Sequence, residues 1–512
     1  MIEWGCGTLS TKQLTNDFEV AIIGGGIVGT ALFSELCRLG VKCVLLEASE
    51  DVSNGSTKAN SGIVHSGYDP MPGTLMAKFN LQGNKLYPAM CKRLGVKYLP
   101  CGTLTVAGEE NREKLNALLE RGKQNGVKGL RIVENKELHT MEPNLTKEMT
   151  LGLFAPTGGL VSPYNVCVAL AEEGVVNGGV VYCYFEASKI TQDANKYTIY
   201  AKDDFAPLAY VTAKYVVNCA GANAVDINTL LGLPAPKNVS YVKGEYIILD
   251  KCLEGYVHRP IFPLPTAMGK GIVANLTVHG NILLGPTATP CKKDDTSVST
   301  ESIAQIVDKV SLTIKKPNFG KTIKLFAGIR DKVGTDFVIE RDKTHPRYYY
   351  TLGICSPGLT SAPAIAIYIK DMLIQDGVKT HKITPKRRKP YPDLSLLSRK
   401  ELNALIKAHP QYGRVICKCE NVSEGEIIDI LNSPLHPTSI DAIKRRVRPS
   451  MGRCQGSFCV PRLINLISSY LGIPKEKITL HGYGSEIITG DIKEYGFYTR
   501  RQVNNIMKQV TK

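Results

Sequence analysis

The chain has 512 residues, more than one compact core holds, so about three folding units are expected. Hydrophobic residues make up 43% and charged residues 21%, an ordinary globular balance that argues against extensive disorder. The net charge of +16 suits acidic small molecules, an acidic redox partner or an anionic membrane surface. Nucleic acid is not the expected partner, because no binding motif accompanies the charge and aromatics total only 7%. No apolar run approaches the roughly 18 residues of a spanning helix, and Met1 to Asn16 lacks a signal-peptide core. A cytoplasmic address is the default expectation, with peripheral membrane contact left open. The 15 cysteines are scattered, and in a chain of this size without an export signal they do not read as a disulfide scaffold.

The first element in chain order is Phe18 to Ile23, β-rich and mostly apolar, as a buried parallel strand should be. It runs into Gly24-Gly-Gly-Ile-Val-Gly29, then a helical pattern (Ala31, Leu32, Leu36, Leu39) stopped by Gly40. Val41 to Leu46 reads as a second strand, ending in Glu47. This strand–turn–helix–strand is the context that G-x-G-x-x-G requires. Gly24 permits the tight turn, Gly26 lets the backbone approach a pyrophosphate, and Gly29 lets the helix pack close to the sheet. The helix N-terminus favours the phosphates, and Glu47 is placed to accept hydrogen bonds from ribose hydroxyls. The motif by itself does not choose between NAD and FAD.

Two later strands, Tyr215 to Ala220 and Tyr348 to Leu352, also end in small-residue turns, at Gly221 and Gly353. Three such turns far apart predict one α/β Rossmann-like domain assembled from residues 17–75, 205–225 and 325–378, together 17–378 with what lies between. The intervening stretches would form an inserted α+β substrate domain, where Glu245 to Leu249 and Asn281 to Leu284 read as strands. Residues 379–412 read as a basic linker: Lys386-Arg-Arg-Lys389 lies between prolines, as a solvated run or a localisation signal. A small third module at 413–471 and a tail at 472–512 complete the chain.

That module holds Cys417-Lys-Cys419 and, after a gap of 34 residues, Cys454-Gln-Gly-Ser-Phe-Cys459. Four thiolates suit zinc or an iron–sulfur cluster, and C-x-C is atypical for structural zinc. Lys444, Arg445, Arg446, Arg448 and Arg453 lie near them, either offsetting the charge of a thiolate-ligated centre or forming a solvated basic face.

Ser56-Thr-Lys-Ala-Asn-Ser-Gly-Ile-Val-His-Ser-Gly67, Val217 to Gly221 and Ser356 to Ser361 resemble the flavin-lining segments of the D-amino-acid-oxidase-like FAD superfamily, over roughly residues 17 to 375. The resemblance implies FAD, with Thr57, Asn60, Ser61, Gly62, Ala220, Gly221, Gly328, Gly358, Leu359 and Thr360 joining the glycine turn and Glu47 at the cofactor. Two branches compete. Asn60 to Leu104 is similar to L-2-hydroxyglutarate dehydrogenases, whereas the added cysteine module resembles anaerobic-type glycerol-3-phosphate dehydrogenases. The former carry a histidine where this chain has Asn275. Arg330 matches the position that points at the substrate anion in the superfamily, and Lys270 is a second candidate for that anion. His65 is a candidate base, flavin contact or covalent attachment point, or a structural histidine. The cysteine stretch is similar to the bacterioferritin-associated-ferredoxin-like domain, which implies a small helical [2Fe–2S] domain with Cys417, Cys419, Cys454 and Cys459 as ligands.

A two-electron flavin and a one-electron cluster on one chain point to a dehydrogenase feeding an external acceptor, a redox protein or a quinone-linked subunit, rather than an oxidase. The substrate would be a small anionic alcohol, with glycerol 3-phosphate ahead of L-2-hydroxyglutarate. A flavin/iron–sulfur electron carrier without catalysis is the alternative from another class.

Overall fold

The computed structural model describes residues 16–202, 208–264 and 271–490. Its first sheet has a parallel core in the order Tyr348–Leu352, Tyr210–Asn218, Asp17–Ile23, Cys43–Leu46 and Val180–Tyr182. The central strand is apolar on both sides because both are covered. Val20 and Ile22 face a core built with the helices Ile27–Cys37, Leu75–Leu94, Pro163–Val176 and Gly358–Gln375. Ala21 and Ile23 face a second core with Tyr182, Phe185 and Tyr348.

The second sheet, of nine strands, belongs to the inserted domain. Its spine is Val239–Leu249, paired along its whole length with the antiparallel Thr322–Val333. The opposite edge of the spine leads through Ile282–Gly285, Val273–Leu276 and Ile261–Pro263 to Thr103–Ala107. The helix Thr300–Val310 packs against the sheet through Ile306 and Val310. The expected boundary at residue 325 falls inside a strand. Thr322–Val333 stays with the inserted sheet because its entire ladder is made to Val239–Leu249.

The cysteine module packs Glu424–Leu431, Ile440–Val447 and Val460–Leu471 around Ile427, Ile430, Ile443 and Ile467. Its core also takes Ile478, so the chain beyond 471 contributes to the module.

The stretch 379–412 is largely exposed, Lys386, Arg387 and Lys389 included, with Arg388 as the exception. Arg388 is buried, and donates to Glu172 Oε2 (2.8 Å) and to the Leu94 carbonyl (2.6 Å), while Tyr391 bonds the same glutamate. Buried pairing satisfies the guanidinium and straps the segment across two helix ends of the first domain. A helix, Arg399–Ala408, follows behind a Ser398/Glu401 capping box. Among the described residues no helix is long and apolar enough to cross a membrane.

Candidate active site

The chain leaves the central strand through Gly24, whose φ of +108° is strained for any residue with a Cβ. Its N–H donates to the Leu46 carbonyl (2.8 Å), tying the turn to the second strand. A Cβ on Gly29 would collide with the Gly24 carbonyl oxygen, so the helix reaches this distance only with glycine there. A Cβ on Gly26 would meet nothing nearer than Thr57 Oγ1 at 3.5 Å, because that side of the turn opens into a cleft of about 870 Å³. The first helical amide, Ile27 N–H, donates to Thr57 Oγ1 (3.0 Å), and the helix presents its positive end to the cleft. Glu47 accepts from Gly25 N–H and Ser49 N–H, both at 2.8 Å. Burial pushes its carboxyl above the usual glutamate range, against the pull of those two amides.

The cleft is lined by Gly24, Gly26, Glu47, Thr57, Asn60, Ser61, His65, Ala220, Gly221, Arg330, Gly358 and Leu359. The other expected residues hold its walls instead. Thr360 accepts from His65 N–H (2.9 Å) and donates to the Ile63 carbonyl (3.3 Å), which fixes the flavin-side segment to the late helix. A Cβ on Gly328 would strike the Ala59 carbonyl, and one on Gly62 the Val161 carbonyl; these contacts set the segment's depth. Asn60 folds back on its own turn, donating to the Thr57 carbonyl (2.8 Å) and accepting from Gly62 N–H (2.9 Å). Asn218, absent from the sequence-level set, shapes the Ala220 turn by accepting from Ala220 N–H (3.1 Å).

Arg330 reaches the cleft from the long strand Thr322–Val333. Gly244 on the paired strand makes room, since a Cβ there would overlap the guanidinium. Arg330 Nη2 donates to the Thr287 carbonyl (3.2 Å), and no carboxylate pairs with Arg330 among the described residues. Lys293, Lys309 and Lys332 also border the cleft. Their positions come from a loop, a helix and a strand end, so no local pattern singled them out. The His65 ring lies 5.8 Å from that of Phe262 on the opposite wall. Lys270 lies outside the described residues. Asn275 donates to the Ser61 carbonyl (2.9 Å), a fixed wall contact where the 2-hydroxyglutarate enzymes carry histidine.

The four module cysteines form two pairs. Cys417 and Cys459 are buried free thiols that lie beside each other, while Cys419 Sγ and Cys454 Sγ lie 3.6 Å apart nearer the surface. No three potential ligands gather around one point among the described residues. Two pairs suit two irons with two protein sulfurs each. Backbone around Glu420, Ser450 and Cys419 favours the Cys417 thiolate, and backbone around Phe458 and Gly456 the Cys454 thiolate, in keeping with a negatively charged thiolate centre.

The neighbouring cations do something neither sequence reading anticipated. Arg446 grips Asp51 with both Nη1 (2.7 Å) and Nη2 (2.9 Å), and Arg445 reaches Asp51 (3.0 Å) and Glu50 (3.1 Å), all four residues buried. Burial pushes the Asp51 carboxyl up, but the two guanidiniums more than offset it and hold it below the usual aspartate range. Arg448 bonds Glu420 (2.9 Å) and Asn281 (3.1 Å), and Arg453 reaches Asp250 (3.2 Å). Lys444 stays on its own helix with Asp441 (3.3 Å). The module is thus docked on the loop that follows Glu47. A smaller cavity of about 320 Å³ remains in this seam, between Asn60–Gly62 and Met451–Gln455.

A dinucleotide turn opening on a cleft of this size, with a four-thiol module docked on its second loop, defines a two-centre redox protein. Residues 19–372 match the model of the FAD dependent oxidoreductase family, and residues 415–469 that of the BFD-like [2Fe-2S] binding domain. The chain is 38% identical to the glycerol 3-phosphate dehydrogenase of Caloramator mitchellensis, covering 93% of this chain and 99% of that one. It is 32% identical to the glycerol 3-phosphate oxidase of Mycoplasma genitalium, over 68% of this chain and 92% of the oxidase. Among solved structures, it superposes with a TM-score of 0.69 on dithionite-reduced L-alpha-glycerophosphate oxidase from Mycoplasma pneumoniae with FAD bound. That likeness has 27% identity and covers 74% of this chain and all of the other. The chain belongs to the FAD dependent oxidoreductase family, and its cofactors are FAD and a [2Fe–2S] cluster.

Proposed function

We propose that the enzyme oxidises the secondary hydroxyl of glycerol 3-phosphate, yielding dihydroxyacetone phosphate, and delivers the electrons through its cysteine module to an external acceptor. The observation that carries this reading is Arg330, a guanidinium in the cleft with no carboxylate partner among the described residues. Its planar fork suits a phosphate oxygen pair, and Lys309 and Lys332 add positive charge at the cleft, while Lys293 is paired with Asp226. The relatives named for glycerol 3-phosphate support the same substrate. FAD supplies the two-electron acceptor for the carbinol hydrogen, and the cluster supplies one-electron steps.

The chain's residues then divide the work. Beyond the Ile27 N–H, which Thr57 Oγ1 takes, the positive end of the helix Ile27–Cys37 would favour the pyrophosphate, and Glu47 would receive the ribose hydroxyls. The Gly358 N–H is taken by the Cys355 carbonyl, so the Leu359 amide and the positive end of the late helix would favour negative charge on the flavin ring. Arg330 clamps the phosphate. His65, which lines the same cleft, would take the hydroxyl proton. Anaerobic titration with glycerol 3-phosphate and, separately, L-2-hydroxyglutarate tests the reading. Glycerol 3-phosphate should bleach the flavin band at stoichiometric amounts; bleaching by the hydroxy acid alone, or by neither, sinks it.

A further inference from the structure

The two loops that carry the thiols, residues 415–421 and 449–462, present an outer face, at whose edge Arg453 pairs with Asp250 of the inserted domain. Phe458 is 77% exposed, an unusual state for so large an apolar side chain. Phe458 directly precedes the ligand Cys459 and lies four residues after Cys454, so the exposed ring stands beside the cysteine pairs. Arg462 Nη1 donates to the carbonyl of Val415, itself 40% exposed, which brings a cation and a second apolar side chain to the same edge. Lys418, between two ligand cysteines, is exposed, and the Arg453 side chain is 70% exposed. The loops contain one acid, Glu420, and its side chain is 2% exposed beneath Lys251 and Arg448. The outer face is therefore an aromatic ring among cations with no exposed carboxylate in either loop.

From this we infer that Phe458, Lys418, Arg453 and Arg462 form the docking surface for the electron acceptor, a small redox protein whose contact face is acidic around an apolar centre. The inference rests on the proposed function only in assuming that electrons leave through the cluster. An aromatic anchor within a charged rim is the composition of a protein interface, where the rim steers and the centre holds. Self-association would bring like-charged faces together, which opposes it. A lipid surface would suit the cations, but it would not need the exposed aromatic ring to adjoin the ligand Cys459 in the chain.

Holoenzyme reduced with stoichiometric dithionite keeps the test independent of the substrate. Transfer to acidic flavodoxin and to basic cytochrome c is followed by stopped flow, with uncharged menadione as a small acceptor. Flavodoxin should be reduced faster than cytochrome c, and its rate should fall about tenfold or more with rising ionic strength. The double variant Lys418→Glu/Arg462→Glu should lower the flavodoxin rate about tenfold. Phe458→Ser should lower it several-fold, roughly one weak hot spot, without changing the salt dependence. Visible cluster absorbance and the menadione rate should hold in each variant. Unchanged flavodoxin rates, or a preference for cytochrome c, overturn the inference. So does binding to phosphatidylglycerol vesicles that Phe458→Ser abolishes, or a shift in oligomeric state caused by the same variant. Failure of glycerol 3-phosphate to bleach the flavin would leave these rates untouched, so the two readings fail separately.

Discussion

The loop from Glu47 to Asn54 serves two regions held together by opposite means. On its inner side lies the dinucleotide cleft, made by removing side chains: Gly24 and Gly29 bring backbone to backbone, and Gly26 leaves the turn open to the cleft. On its outer side lies the seam with the cysteine module, made by burying charge: Arg445 and Arg446 against Glu50 and Asp51. The cleft depends on steric limits that tolerate almost no substitution. The seam depends on electrostatic compensation, where the cost of a change turns on which partner is left unpaired. One loop therefore couples the FAD site to the cluster module.

The sharpest way to break the comparison is Gly29→Ala. The added methyl collides with the Gly24 carbonyl, so purified protein should lose FAD almost completely, read as absent flavin absorbance, while cluster absorbance persists. Loss of both centres together would mean that the two regions do not stand apart. Next comes Asp51→Asn, which leaves Arg446 and Arg445 facing a neutral group and should destabilise the protein by about 3–5 kcal/mol in denaturant unfolding. Glu50→Gln should cost less than about 1 kcal/mol in the same assay, because burial pushes the Glu50 carboxyl up against the pull of Arg445.

The signs of these two shifts separate the pair further. Asp51 has a depressed folded value, so its contribution is present above the unfolded value near 3.8 and is lost as pH falls through the folded one. Glu50 has a raised folded value, so its contribution is present below the unfolded value near 4.5 and is lost as pH rises through the folded one. Stability of Asp51→Asn relative to wild type, measured from pH 6 downward, should thus converge in acid, whereas Glu50→Gln should show no such convergence. Inside the cleft, Arg330→Met should raise KM for glycerol 3-phosphate about tenfold to a hundredfold, the worth of roughly 1.5–3 kcal/mol for charge-assisted hydrogen bonds. Smallest is Arg453→Ala, whose exposed pairing with Asp250 should be worth under about 1 kcal/mol by the same unfolding measurement.

By itself the sequence determined both centres and the class of chemistry. The glycine turn, Glu47 and the two cysteine pairs are short-range patterns, readable because neighbouring residues carry the whole geometric constraint. The strand Tyr348–Leu352 and the turn after it were legible for the same reason. Only the tertiary structure decided that Gly328 and Thr360 brace the walls rather than face the cleft, since each does so through a contact about 270 to 295 residues away. It also decided that Gly244 clears space for Arg330, and that Arg388 and Arg445–Arg446 are buried rather than solvated. A charge in sequence carries no sign of its burial. Its compensating partner, as Asp51 is for Arg446, lies where only the folded chain can bring it.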